Sequence, residues 1–333
     1  MHVLIVNNTR IPVKKYGGTE RVIWWLGKQL VQMGHKVSYL VESGSYCDFA
    51  AVYNFNPSIP FNKQIPEGVD VVHLNCMVNE IPTIPYIFTV HGNSNEIVPL
   101  DINAVFVSKN HAERFGSESF VYNGIDSEDY GNPRLNQPRE YFHFLGDAAW
   151  RVKNVRGAIK IAQKAKIKLR IIGGVRFNFN QGIRLTFDPR IHFDGMRGGA
   201  EKNALLSKSK GLIFPVRWNE PFGISIVESL YFGCPVFATP YGSLPEIVIP
   251  EVGFLSNSVR TLVDALKYAD QYDKKKCHEY VMDKFSSKQM AIQYLDKYEV
   301  VLNKRALNNK QPVLKLVQQE KFLPFIERLT NSF

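Results

Sequence analysis

The chain has 333 residues, 45% hydrophobic and 22% charged, with a formal net charge of +10. That composition excludes a disordered or low-complexity chain, and the length suits two α/β cores better than one. No run approaches the roughly 18 to 20 apolar residues of a membrane span, and Met1 leads straight into a short apolar run without a signal-peptide pattern. Cys47, Cys76, Cys234 and Cys277 form no C-x-x-C pair, so a cytoplasmic protein with reduced thiols is expected, without a disulfide framework or structural zinc.

In chain order, His2 to Asn7 is a continuous apolar run bounded by polar residues, the pattern of a strand buried on both faces of a parallel sheet. After Pro12 and Gly17-Gly18, helical spacing of Val22, Ile23, Leu26, Leu30 and Met33 predicts a helix over 19–33, ended by Gly34. Strands are expected at 37–41, 69–74, 86–90 and 104–107. The Pro/Gly/Asn-rich stretch 131–138 then marks a domain boundary, and strand patterning restarts at 141–145. A second series follows: helix 155–165, strands 169–172 and 191–193, helix 201–207, strand 211–216, helix 225–232 and strand 235–238. Trp24-Trp25 and Phe177-Asn-Phe179 read as packing residues.

Two α/β domains result, 1–138 and 139–287. In 288–333, Ile292, Leu295, Tyr298 and Leu302 form one apolar face, and Leu314, Val317, Phe322, Phe325, Ile326 and Leu329 a second set broken by Pro324. Helices packing back on the first domain, or a basic amphipathic segment lying on a membrane, both fit this tail. Charge is uneven: residues 1–138 carry 10 Lys+Arg against 13 Asp+Glu, net −3, and the rest 31 against 18, net +13. The second half is therefore where an anion is expected, although such a field also attracts nucleic acid or acidic lipid.

The most informative segment runs from Arg217 through Glu220-Pro-Phe222-Gly223-Ile224 to Glu228, followed by Gly242-Ser-Leu-Pro-Glu246. Two glutamates eight positions apart, one in a loop and one in a helix, bracket a turn at a helix N-terminus. Free backbone N–H groups there attract phosphate, and Gly223 admits a ligand close to the backbone. Carboxylates accept hydrogen bonds from sugar hydroxyls.

This segment resembles the E-x7-E motif of retaining glycosyltransferases of the GT-B fold, most closely the fourth family of the glycosyltransferase classification. Further landmarks occur in the family's order: Gly17-Gly18-Thr-Glu20-Arg21, His91-Gly92, Val107-Ser108, Asn123-Gly124-Ile-Asp126, and Phe144-Leu-Gly146 with Lys153. The resemblance implies two Rossmann-like domains facing a central cleft, an acceptor-side first domain and a donor-binding second one. It implies that Glu220 holds the transferred sugar, Glu228 the ribose and Lys153 the diphosphate, that His91 lies near the anomeric centre, and that Gly17 and Gly18 approach the phosphates. Phe222, Gly223 and Ile224 complete the donor site. The expected donor is a UDP- or GDP-sugar and the acceptor a sugar, a lipid-linked glycan or a small molecule. No metal or other cofactor is implied. Transfer would serve cell-surface polysaccharide, lipopolysaccharide or glycolipid synthesis, with peripheral attachment at the inner membrane face as a further expectation. Asp147 stands where the family usually has arginine, which makes Arg151 the expected replacement cation, with Arg197 or Arg217 reaching in from another loop as the alternative.

Rival readings are weaker. No G-x-G-x-x-G follows the first strand, which disfavours a dehydrogenase, and no nucleic-acid motif is present. A GT-B-like phosphorylase or epimerase is the nearest alternative.

Overall fold

The computed structural model describes residues 1–13, 17–179 and 184–327. Two units divide the chain, Met1–Asp126 with Phe285–Val317, and Ser127–Lys284 with Gln318–Phe333.

The first unit is built on β1 (His2–Val6), β2 (Lys36–Val41), β3 (Ala51–Asn54), β4 (Val71–Leu74), β5 (Tyr86–Val90) and β6 (Ala104–Phe106). They form one sheet in the order β3-β2-β1-β4-β5-β6, with every pair parallel. Helix Gly18–Gln32 buries Val22, Ile23, Leu26 and Leu30. Gly27 has a packing reason inside this helix, because a Cβ there would lie 2.0 Å from the Tyr39 hydroxyl.

The second unit has β7 (Tyr141–Leu145), β8 (Leu169–Ile172), β9 (Phe177–Asn178), β10 (Arg184–Leu185), β11 (Ile191–Gly195), β12 (Ser209–Phe214), β13 (Val236–Ala238) and β14 (Gly253–Leu255). Its main sheet runs β11-β8-β7-β12-β13-β14, all parallel, while β9 and β10 form a separate antiparallel ribbon. With that ribbon set aside, both sheets have the 3-2-1-4-5-6 order of the doubly wound nucleotide-binding fold. Ligands of such sheets bind beyond the strands' carboxyl ends where the order reverses, here after β1 and β4 and after β7 and β12.

Two expectations about organisation need correction. The boundary lies at 126/127 and not at 138/139, because the 127–138 stretch is tied to the second unit: the Tyr130 hydroxyl donates to Glu228 at 2.7 Å, and Gln137 donates to the Ser207 carbonyl. The tail is not helical to its end. Helix Ser287–Leu302 stops where Lys304 takes φ 57°, and residues 303–327 run without a helix, with Leu314 buried in the first unit. Residues 318–327 belong to the second unit, where Leu323 bonds the Arg217 backbone and Ile326 bonds Asn257 and Val259; Leu329 lies outside the described residues.

The buried face of helix Ser287–Leu302 also differs from the apolar pattern. Met290, Ala291, Tyr294, Tyr298 and Val301 are buried, while Ile292 and Leu302 are each 37% exposed. Polar chemistry selected that face. His73 in β4 bonds the Tyr298 hydroxyl through Nδ1 and Thr89 Oγ1 through Nε2, each at 2.7 Å, and Thr89 in turn meets the Tyr294 hydroxyl at 3.1 Å. A buried imidazole left without these partners would be costly, so the helix presents its tyrosines. All four cysteines are free thiols.

Candidate active site

Beyond β7 the chain makes a short turn, Arg151–Lys153, closed by Asn154 in the left-handed region at φ 57°. Asn154 caps helix Val155–Ala165 by accepting from Gly157 N at 3.0 Å and donates to the Pro215 carbonyl at 2.8 Å. The turn is thereby fixed against the end of β12. The loop after β12 is held from the other side: Ser243 bonds the Glu220 carbonyl through its amide and the Phe222 carbonyl through its hydroxyl, both at 2.9 Å. Gly242 must be glycine here, since a Cβ would come within 2.3 Å of Glu220 backbone atoms. Gly223, at φ +86°, then starts helix Ile224–Tyr231 without a side-chain cap, leaving its first N–H groups for a ligand.

These two loops bring Lys153 and Glu220 together. Lys153 Nζ lies 2.6 Å from Glu220 Oε2, and both residues are buried. Trp218 Nε1 donates to the same oxygen at 2.8 Å. The ammonium also lies 5.2 to 5.3 Å from the ring centroids of Trp150, Trp218 and Phe214. The positive charge is thus compensated by one carboxylate and three ring faces. Because the described contacts of Glu220 converge on Oε2, Oε1 is the oxygen left to accept from a ligand.

Glu228 lies further along the helix that Gly223 opens. It is 2% exposed, accepts from Tyr130, and pairs with Lys202, whose ammonium lies 5.1 Å from the Tyr130 ring centroid. Its expected ribose role therefore has to coexist with a buried ion pair. Beneath the helix, His143 bonds Ser209 and Ser229 hydroxyls at 2.6 and 2.8 Å, and burial holds its pKa down to about 3.

Asp147, in the place of the family's arginine, folds onto its own loop, its Oδ1 accepting from Ala149 N at 2.8 Å. Arg151 is exposed, with its guanidinium 4.9 Å from the Phe322 ring; Arg217 lies 5.3 Å from the same ring and bonds the Leu323 carbonyl at 2.8 Å. The tail segment thus gathers two arginines beside the loop that carries Glu220.

The remaining expected residues belong to the first unit. His91 follows β5, and its Nε2 bonds Asn75 Oδ1, just after β4, at 2.7 Å. Burial lowers its pKa to about 4, which keeps the imidazole neutral at pH 7. Gly17 stands at φ +150° before helix Gly18–Gln32, which starts with no side-chain cap, and its carbonyl accepts from Arg21 Nε at 3.0 Å. Among the described residues, no three His, Cys, Asp or Glu side chains are grouped as a metal site requires.

Trp218, Trp150, Lys202, Tyr130 and Phe322 were not legible as site residues. Trp218 carried a faint signal, standing two positions before Glu220, whereas Lys202 and Tyr130 reach Glu228 from sequence-distant elements.

Two parallel sheets of this order, with a charged pair at the second sheet's switch point, define the class: the fold is the GT-B fold of glycosyltransferases. Residues 127–280 match the Glycosyl transferases group 1 family model, and the match lies within the second unit. A protein from the cps region of Klebsiella pneumoniae, described only as an uncharacterized 41.2 kDa protein, is 28% identical over 148 residues, which are 42% of this chain and 40% of that protein. The GDP-Man:Man(3)GlcNAc(2)-PP-Dol alpha-1,2-mannosyltransferase of Xenopus tropicalis is 33% identical over 127 residues, 33% of this chain and 25% of the enzyme. The matched stretch spans less than half of either relative. Among solved structures, AviGT4, a glycosyltransferase involved in avilamycin A biosynthesis, aligns over 91% of this chain and 98% of its own with a TM-score of 0.71 at 17% identity. HepE from Anabaena, solved with UDP and glucose, aligns over 89% and 99% with a TM-score of 0.63 at 15% identity. At such identities the likeness is one of fold.

Proposed function

We propose that the protein is a retaining glycosyltransferase that moves a sugar from a UDP- or GDP-sugar to a hydroxyl acceptor in cell-surface polysaccharide, lipopolysaccharide or glycolipid synthesis. The observation that carries this reading is the Lys153–Glu220–Trp218 cluster, at the carboxyl ends of β7 and β12. A carboxylate with one oxygen committed and the other open suits a neutral polyol, and a cation beside it suits a leaving diphosphate. HepE with bound UDP and glucose, the GDP-Man-dependent relative and the cps-region relative support the donor class and the setting.

In this reading Lys153 meets the diphosphate, with Arg217 as second cation and the helix N-terminus at Gly223 as a further anion-facing group. His91 stands on the acceptor side as a neutral imidazole, and no metal takes part. Incubating the enzyme with UDP-, GDP- and ADP-sugars and candidate acceptors, with and without EDTA, tests it. The expected product is a glycoside of retained anomeric configuration, formed equally under chelation. Sugar 1-phosphate or an epimerised nucleotide sugar as the sole product would instead identify a phosphorylase or epimerase.

A further inference from the structure

The ribbon β9/β10 is built inside out. Among its described residues, Val175, Phe177, Phe179, Leu185 and Phe187 alternate with Arg176, Asn178, Arg184 and Thr186. Strand alternation ordinarily sends the apolar set to the core. Here the polar set goes inward: Arg176 donates to the Thr186 and Ile191 carbonyls at 3.0 and 2.6 Å, and Arg184 to the Val175 carbonyl at 2.7 Å. Both guanidiniums lie against Phe193 of β11, at 5.7 and 4.7 Å. With Leu185 in register with Phe177, all five apolar side chains face solvent, Phe179 70% and Phe187 77% exposed. Phe177 packs on Phe187 within the ribbon, their ring centroids 5.8 Å apart, but neither Phe177 nor Phe179 is a core residue.

This apolar face adjoins a cationic one. A cleft of about 520 Å³ between the ribbon and helix Val155–Ala165 is lined by Leu185 and Phe187 on one side and Arg156, Ile159 and Gln163 on the other. Residues 151–190 contain eleven Lys and Arg and a single carboxylate, Asp188, which is bonded to Arg190. From the tail, Glu327 pairs with Lys160 and accepts from Lys164 through its carbonyl, while Arg156, Lys166 and Lys168 are exposed.

We propose that this face docks on an anionic lipid bilayer, the ribbon's aromatic and aliphatic side chains entering the interface and the neighbouring cations meeting lipid headgroups. A contiguous exposed apolar patch on a folded domain marks an interaction surface. Its cationic surround distinguishes the occupant: anionic lipid matches both parts at once, apolar chains for the ribbon and negative headgroups for the lysines. The inward arginines hold the ribbon in this orientation before any contact is made. The inference is independent of the transfer chemistry and would set the second unit at a surface where lipid-linked substrates reside.

The test is sedimentation of the full chain with phosphatidylcholine vesicles, with and without phosphatidylglycerol, over a range of salt. Binding is expected only with phosphatidylglycerol and should weaken as salt rises. Phe179→Ser with Phe187→Ser, and separately Lys166→Glu with Lys168→Glu, should each lower partitioning by about tenfold or more while the thermal midpoint stays unchanged. No vesicle binding, or binding that both double variants retain, overturns the proposal. A wild-type dimer that the phenylalanine variant loses, with vesicle binding unaffected, would assign the face to a second copy and overturns it equally.

Discussion

The two sheets share one strand order and differ in what they place at its reversal. Around the end of β12, the second unit sets charge against charge, with Lys153 on Glu220 and Lys202 on Glu228, all four buried. Near the end of β4, the first unit uses neutral groups: His91 on Asn75, and His73 between Thr89 and Tyr298. A buried charge is tolerated only with a partner, and such a pair can be redirected by an anionic ligand. Neutral donors and acceptors suit hydroxyl groups. One backbone frame thus supplies an ionic site and a neutral one through side chains alone.

Acid should break the comparison most visibly. Burial holds the pKa near 3 for His73, His111 and His143 and near 4 for His91. Unfolded histidine titrates near 6.5, so as pH falls below that value the unfolded chain gains protons that the folded one refuses. Each such histidine then removes up to about 1.4 kcal/mol of stability per pH unit. Three of the four lie in the first unit, so on acidification from pH 7 to 4 its amides should lose hydrogen-exchange protection before those of the second. Simultaneous loss would show that the charge contrast has no counterpart in stability.

Glu220→Gln should lower transfer by roughly two to three orders of magnitude, the loss that follows removal of a directly bonding group at a reacting centre. The amide is preferable to alanine because the structure gives Glu220 a task the sequence did not reveal, compensating a buried lysine. Wild-type turnover would remove Glu220 from the site. Trp218→Phe keeps the ring beside Lys153 but deletes the N–H on Oε2, a bond to a charged group worth about 1.5–3 kcal/mol. Turnover should fall about tenfold or more while affinity for the bare nucleotide holds, as calorimetry would report. Equal loss of both would make Trp218 a packing residue only. Arg151→Ala should have the smallest effect. Its guanidinium is exposed and rests on Phe322, a contact worth about 0.5–1 kcal/mol. Diphosphate binding weakened as much as by Lys153→Ala would make Arg151 the replacement cation.

Strands β5, β7 and β8 and helix Val155–Ala165 begin and end where the sequence pattern says, because the strands are short apolar-rich runs and the helix carries a regular apolar stripe of Val155, Ala158, Ile159 and Ala162. β3 escaped notice: as an edge strand it buries almost nothing, and Tyr53 and Asn54 are exposed. β14 is likewise an edge strand, and unlike the equally short β6 and β13 it is not buried throughout, with Phe254 exposed. In the last helix the apolar stripe misled, since its orientation answers to His73 and Thr89, whose need for hydroxyl partners appears only once the sheet is assembled. The motif glutamates were legible from spacing. Their cations and the aromatic box were not, because those residues converge from elements that only the fold brings together.

The chain passes between the units at 126/127, 284/285 and 317/318. Residues 1–126 leave the ribosome first, yet helix Ser287–Leu302, which partners His73 and Thr89, follows only after the 158 residues of 127–284. At the usual rate of elongation that interval is about 10 to 30 s. For its duration the nascent first unit carries an uncovered sheet face on which the His73–Thr89 pair lacks its tyrosine partners, the kind of transiently exposed surface that chaperones bind. The unit that starts first is completed only after the body of the other has been made.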